Sequence, residues 1–229
     1  MTAQRKSSLS AGIFYLITFI SIPTLFLYKA VKGPDYILSS GPDTAALIGG
    51  ILEIIVGLAG IGTAVALYPV LKRQNQGVAL GFVASRTLEA ATIFSGVVSL
   101  LSIVALRQAA AGPDALAVGQ ALSVEYSKTF LLGQALIPGV NALLLGYLMY
   151  RSRLVPRVLP VLGLIGAPIL IASVAAKYFG VYDELSAWSG LAALPVAAWE
   201  FSLGVYLTVK GFRPSPITAA VSADERNAT

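Results

Sequence analysis

Apolar and polar residues divide this chain into six long hydrophobic stretches joined by short polar connections. The stretches are Leu9–Tyr28, Thr44–Leu71, Val78–Leu106, Ser127–Tyr150, Val158–Tyr178 and Trp188–Lys210. Each has about the twenty residues, or more, that a helix needs to cross a hydrocarbon core. The pattern predicts an all-α fold, a polytopic transmembrane bundle of six helices over residues 9–210. A polar N-terminal tail covers 1–8 and a polar C-terminal tail covers 211–229, where Pro214, Pro216 and few apolar residues predict disorder. The first stretch follows Arg5 and Lys6, as a signal core would. It is too long for one and no small-x-small site follows, so it reads as a retained first helix.

The connections add direction. Gly41-Pro42-Asp43 and Gly112-Pro113-Asp114 mark turns, with Asp43 and Asp114 expected as N-caps of the helices that follow. Residues 107–126 form the longest connection, with room for a short interfacial helix over 114–126. Residues 72–77 (KRQNQG) and 151–157 (RSRLVPR) are tight basic turns. Six spans put both termini on one side. Leaving out Arg86, that side holds ten basic residues: Arg5, Lys6, Lys72, Arg73, Arg151, Arg153, Arg157, Lys210, Arg213 and Arg226. The other side holds five: Lys29, Lys32, Arg107, Lys128 and Lys177. The excess predicts cytoplasmic termini.

Within the spans and away from their ends, charged residues are few: Glu53, Arg86, Glu89 and Glu200. A charge at a helix centre costs about 2.5–3.5 kcal/mol on insertion scales, so these residues face the bundle interior. Glu53 shares a face with Gly50, Gly57, Gly60 and Ala64. Glu89 shares one with Ser85, Thr92, Gly96 and Ser99. Small residues on one face let helices approach closely in lipid. Arg86 is three residues before Glu89, close enough to pair with it. Gln134 and Asn141 are seven apart and are expected to share a face. Pro138 between them leaves the Gln134 carbonyl without its helical donor.

Composition removes whole classes of chemistry. The 229 residues are 56% hydrophobic and 12% charged, with a mean hydropathy of +0.79. There is no Cys and no His. Disulfides, thiol nucleophiles, Cys/His zinc sites, histidine-ligated haem and a Ser-His-Asp triad are therefore excluded. No metal site and no cofactor motif is predicted. The net charge of +5 comes from the basic connections, which topology explains, and no basic-aromatic nucleic-acid motif is present.

Three segments, in order, resemble one family. The first is Ala66-Leu67-Tyr68, then LKRQNQGVAL, then Arg86-Thr87-Leu88-Glu89-Ala90. The second is Gly146–Ser152 followed by Leu154-Val155-Pro156-Arg157. The third is Trp199-Glu200-Phe201-Ser202, ending at Lys210-Gly211. Together they are similar to the uncharacterised bacterial membrane family domain of unknown function 4386. Members carry a phenylalanine-arginine-x-x-glutamate pattern at the place of Ser85–Glu89, and here Ser85 replaces the aromatic residue. The resemblance implies a multi-pass protein of the bacterial plasma membrane and supplies no activity.

The candidate site is the intramembrane cluster Glu53, Arg86, Glu89, Glu200, Asn141 and Gln134. Three carboxylates against one guanidinium would leave −2 if all ionised, so one is expected to keep its proton. Three readings stay open. The cluster serves a proton-linked small-molecule carrier, with Arg86 binding an anionic group and the break at Pro138 allowing movement. Alternatively it serves a lipid- or isoprenoid-modifying enzyme with Glu acid and base. Otherwise it only sets helix register in a structural or signalling protein. The expected partners are membrane lipids and a small-molecule or lipid ligand. The small size favours a homo-oligomer for the carrier, and no nucleic acid is expected.

Overall fold

Lipid offers no partner for backbone polar groups, so each apolar stretch folds as a helix. A computed structural model describes residues 2–183 and 186–219, and no strand occurs among them. Six helices in it are long and apolar enough to cross a membrane. The first combines α1 (Ala3–Ile17), a tight turn at Thr18–Ser21 and the short α2 (Thr24–Leu27). The second and third are α3 (Thr44–Leu71) and α4 (Gln76–Gln108). The fourth, over residues 113–152, combines α5 (Leu116–Phe130), a π-helical turn at Leu131–Leu136 and α6 (Ile137–Ser152). The fifth and sixth are α7 (Val158–Tyr178) and α8 (Ala187–Val209).

The spans close into a ring in chain order: each packs on its sequence neighbours, and α1 packs on α8. Lipid tails are as apolar as the side chains, so close approach at small residues holds such a ring together. A Cβ added at Gly12 would lie 2.6 Å from the Thr208 backbone nitrogen, and one at Gly163 would lie 2.8 Å from the Trp199 ring. Trp199 is thus buried against α7 and does not face lipid.

Two apolar clusters lie at opposite ends of the ring. On the termini side, Leu67, Leu71, Phe82, Leu145, Met149 and Leu203 are sealed from solvent. Leu154 and Val155, inside the basic turn, join them. On the other side, Tyr28, Ile37, Leu100, Ile103 and Tyr126 form the second cluster.

Four expectations change. Residues 114–126 do not form a separate interfacial helix. α5 runs into the fourth span, because Gly119 lets it lie directly on Ile37. Asp43 precedes α3 but makes no capping bond, since Arg107, Tyr36 and Gln108 compete for its carboxylate. Asp114 lies inside the turn Pro113–Ala115, and Ala115 takes the cap position of α5. The side chains that do cap are Thr2 on α1, Asn75 on α4, which accepts from the Val78 amide at 3.0 Å, and Ser186 on α8. Finally, residues 211–219 fold back on the bundle, where composition predicts disorder. The Arg213 amide donates to the Leu154 carbonyl at 2.8 Å, and Phe212 and Ile217 pack on the core. Residues 220–229 lie outside the described residues.

Candidate functional site

Arg86 points from α4 into the ring. Its Nη1 donates to Glu89 Oε2 at 2.9 Å and its Nη2 to Glu200 Oε1 at 2.5 Å. Asn141 Nδ2 also donates to Glu89 Oε2, at 2.8 Å. The guanidinium carbon stands 5.2 Å from the Tyr15 ring centroid and 5.7 Å from that of Phe82. Both aromatic faces add cation–π attraction. Helices α1, α4, α6 and α8 are thereby tied at one point. Arg86 is 3% exposed, and its Nε lies buried without a hydrogen bond. With both carboxylates ionised the cluster carries −1.

Glu53 is fully buried but lies apart from Arg86. Its Oε1 accepts from the Tyr126 hydroxyl at 2.8 Å and from Gln134 Nε2 at 3.3 Å. The Tyr28 hydroxyl interacts with the same carboxylate, although neither it nor Glu53 Oε2 has a well-formed hydrogen bond. The structure therefore splits the six candidate residues. Glu89 and Glu200 meet Arg86, Asn141 joins them through Glu89, and Gln134 binds Glu53. Gln134 and Asn141 do not serve a common partner as their spacing implies.

A cavity of about 240 Å³ lies against the Arg86 group and reaches Gln134. Arg86, Glu89, Glu200, Gln134 and Pro138 line it. A second cavity of about 450 Å³ shares Gln134, Pro138 and Glu200 with it and reaches Lys177. A third, of about 470 Å³, shares Leu25, Phe130 and Lys177 with the second. The three follow one another toward the side away from the termini. The apolar cluster closes the termini side.

Two interrupted helices and one proline inside a continuous helix border this path. In the first span, Pro23 lacks an amide proton, and the hydroxyls of Thr18 and Thr24 take the carbonyls of Tyr15 and Ser21, each at 2.7 Å. These bonds compete with helical pairing and loosen the segment. In the fourth, the π-helical turn precedes Pro138 and carries Gln134. In the sixth, Pro195 lies five residues before Glu200. Irregular backbone at membrane depth is tolerated where protein or a cavity surrounds it.

Sequence reasoning missed Tyr15, Tyr28 and Tyr126, because aromatic residues in apolar helices carry no signal of their own. It also missed the clasp of Asp43 and Arg107, which pair at 2.5 Å at the end of the bundle away from the termini. Partial burial acts to raise the Asp43 pKa. Hydrogen bonds from Tyr36, Gln108 and Arg107 and the Arg107 charge outweigh it and hold the carboxyl below its usual range. Burial and the Asp43 carboxylate push Tyr36 up to about 12.

No curated protein and no solved structure matches the chain. The family pattern described as Domain of unknown function (DUF4386) matches residues 10–211, which hold all six spans but the start of the first, both carboxylate clusters and the cavities beside them. The ring and its buried charges are thus the part of this chain that belongs to the DUF4386 family.

Proposed function

We propose that the protein is a proton-linked carrier of a small molecule in the bacterial plasma membrane, with both termini in the cytoplasm. The observation that carries this reading is the meeting of two interrupted helices, the first and fourth spans, at one cavity that holds Arg86, Glu89 and Glu200. Discontinuous helices around a midplane site are what alternating access uses. The charge count fits a coupling role. One cation against two carboxylates takes up one proton to become neutral, and Glu200 lines the cavity, where proton and substrate meet. Arg86 Nε is a buried donor without a hydrogen-bond partner. The excess of basic residues on the termini side supports the orientation.

The test is uptake into proteoliposomes that contain a pH-sensitive dye, challenged with pools of organic anions and zwitterions under a pH gradient. One pool should change the internal pH faster than in empty liposomes, and Glu200→Gln should abolish the difference. No pool-dependent flux with any pool would overturn the carrier reading.

The sealed termini side favours a second reading, an intramembrane enzyme fed from one side, with Glu200 or Glu89 in acid–base roles. Conversion of a pool component, without proton-linked uptake, would select it.

A further inference from the structure

We infer that the carried molecule is an anionic amphiphile: one apolar chain ending in a carboxylate or phosphate, seated in the two outer cavities with its charged end at Lys32, Lys128 and Lys177. The inference deepens the carrier reading by naming its substrate class. Three lysines from three elements line the outermost cavity: Lys32 from the connection after α2, Lys128 from α5 and Lys177 from the end of α7. Asp183 lines the same cavity. Lys32 Nζ stands 5.1 Å from the Tyr126 ring centroid, and Lys177 Nζ donates to Ser189 Oγ at 2.9 Å. Positive charge at a mouth with apolar walls attracts and orients an anion.

Behind the lysines the path turns apolar. Leu25, Phe130, Ala135, Leu170 and Val196 wall the second cavity before Glu200 is reached. Lys177 and Leu170 are seven residues apart on α7, about 10 Å at 1.5 Å per residue. That floor suits a chain of medium length. The outer cavities, about 470 and 450 Å³, each fall within the usual range for small-molecule sites of about 300–1,000 Å³. A wholly polar anion would leave the apolar floor uncovered. A cationic amphiphile would meet three like charges at the mouth.

The experiment measures binding to the full-length protein in phosphatidylcholine nanodiscs, with empty nanodiscs as the baseline. The probes are laurate, dodecyl phosphate, dodecyltrimethylammonium and inorganic phosphate. Laurate or dodecyl phosphate should bind saturably, and the stronger of the two identifies the head group. Affinity should fall at least tenfold in the triple variant Lys32→Gln/Lys128→Gln/Lys177→Gln and return in the triple Lys→Arg variant. Should the Gln variant fail to fold, salt decides: binding by the native protein should weaken severalfold between about 0.01 and about 1 M, as the screening length falls from about 30 to about 3 Å. Equal binding of dodecyltrimethylammonium, binding of inorganic phosphate as tight as that of the amphiphiles, an unchanged Gln variant or salt-insensitive binding would each overturn the inference. Binding at the lysines without proton-linked uptake would sink the carrier reading and leave the site standing. Uptake indifferent to the lysines would do the reverse.

Discussion

Glu89 and Glu53 are the same group, buried to similar depth on neighbouring helices, yet the bundle satisfies them in opposite ways. Glu89 has a cation, Arg86, which it shares with Glu200, and an amide from Asn141. Glu53 is bonded only by neutral donors, the Tyr126 hydroxyl and the Gln134 amide. A buried carboxyl group inside a membrane protein thus needs donors and not necessarily a directly paired cation; Lys32 acts on Glu53 only at a distance. The two arrangements differ in what they lose when a partner goes. Removing Arg86 strands two charges at once, whereas removing one neutral donor from Glu53 leaves the other.

Breaking the ion-paired side should give the largest effect. Arg86→Ala is expected to destabilise the protein by about 3–5 kcal/mol, the usual loss when a buried charge is left unpaired. Arg86→Ala/Glu200→Gln should recover part of it in the same thermal-unfolding series. An Arg86→Ala protein as stable as the native one would mean that the pairing holds nothing together. Next comes the backbone that brings Gln134 to Glu53. A Cβ at Gly133 would lie 2.1 Å from Thr92 Oγ1. Gly133→Ala should therefore cost about 1–3 kcal/mol as an overpacking change, with Thr92→Ala restoring some of it.

A smaller contrast sharpens the comparison directly. Glu53→Gln keeps an acceptor for Tyr126 and should cost about 1 kcal/mol or less. Glu89→Gln leaves Arg86 a single counter-charge and should cost clearly more. Equal losses in unfolding experiments would erase the distinction drawn here. The smallest effect belongs to the exposed end of the ring. Asp43 is a stronger acid in the folded protein, so its contribution is complete at neutral pH and is lost only as pH falls through its lowered value. Asp43→Asn should cost about 1 kcal/mol at most and flatten that acid limb of stability against pH. Tyr36 has the opposite sign: its share persists below the ordinary tyrosine range and fades as pH rises toward about 12.

Much of this was legible in the residues. The six spans follow from apolar length, since lipid permits few alternatives to a helix. The pairing of Arg86 with Glu89 follows from three-residue spacing on one helix. The second partner, Glu200, lies 114 residues away, and no local pattern links it to Arg86. The closed order of helices was equally silent, because it rests on close contacts such as Gly12 with Thr208. Gln134 and Asn141 show how a correct local rule fails. Seven residues make nearly two turns in an unbroken helix, but the π-helical turn at Leu131–Leu136 adds a residue to the winding. One residue is about 100° of rotation at 3.6 per turn, enough to send the two amides to different carboxylates. Asp43 fails as a cap for another reason: a full charge on Arg107 outcompetes a backbone amide for its oxygens.

The seating of Trp199 on Gly163 also makes the protein its own optical probe. Only two tryptophans are present. Trp188 is 69% exposed near the outer end of α8, whereas Trp199 is shut away next to Glu200. An aqueous quencher should extinguish the first and spare the second. With Trp188→Phe, the remaining fluorescence would come from one indole wedged between α7 and α8, and a shift of its emission toward red would mark those helices parting without any added label.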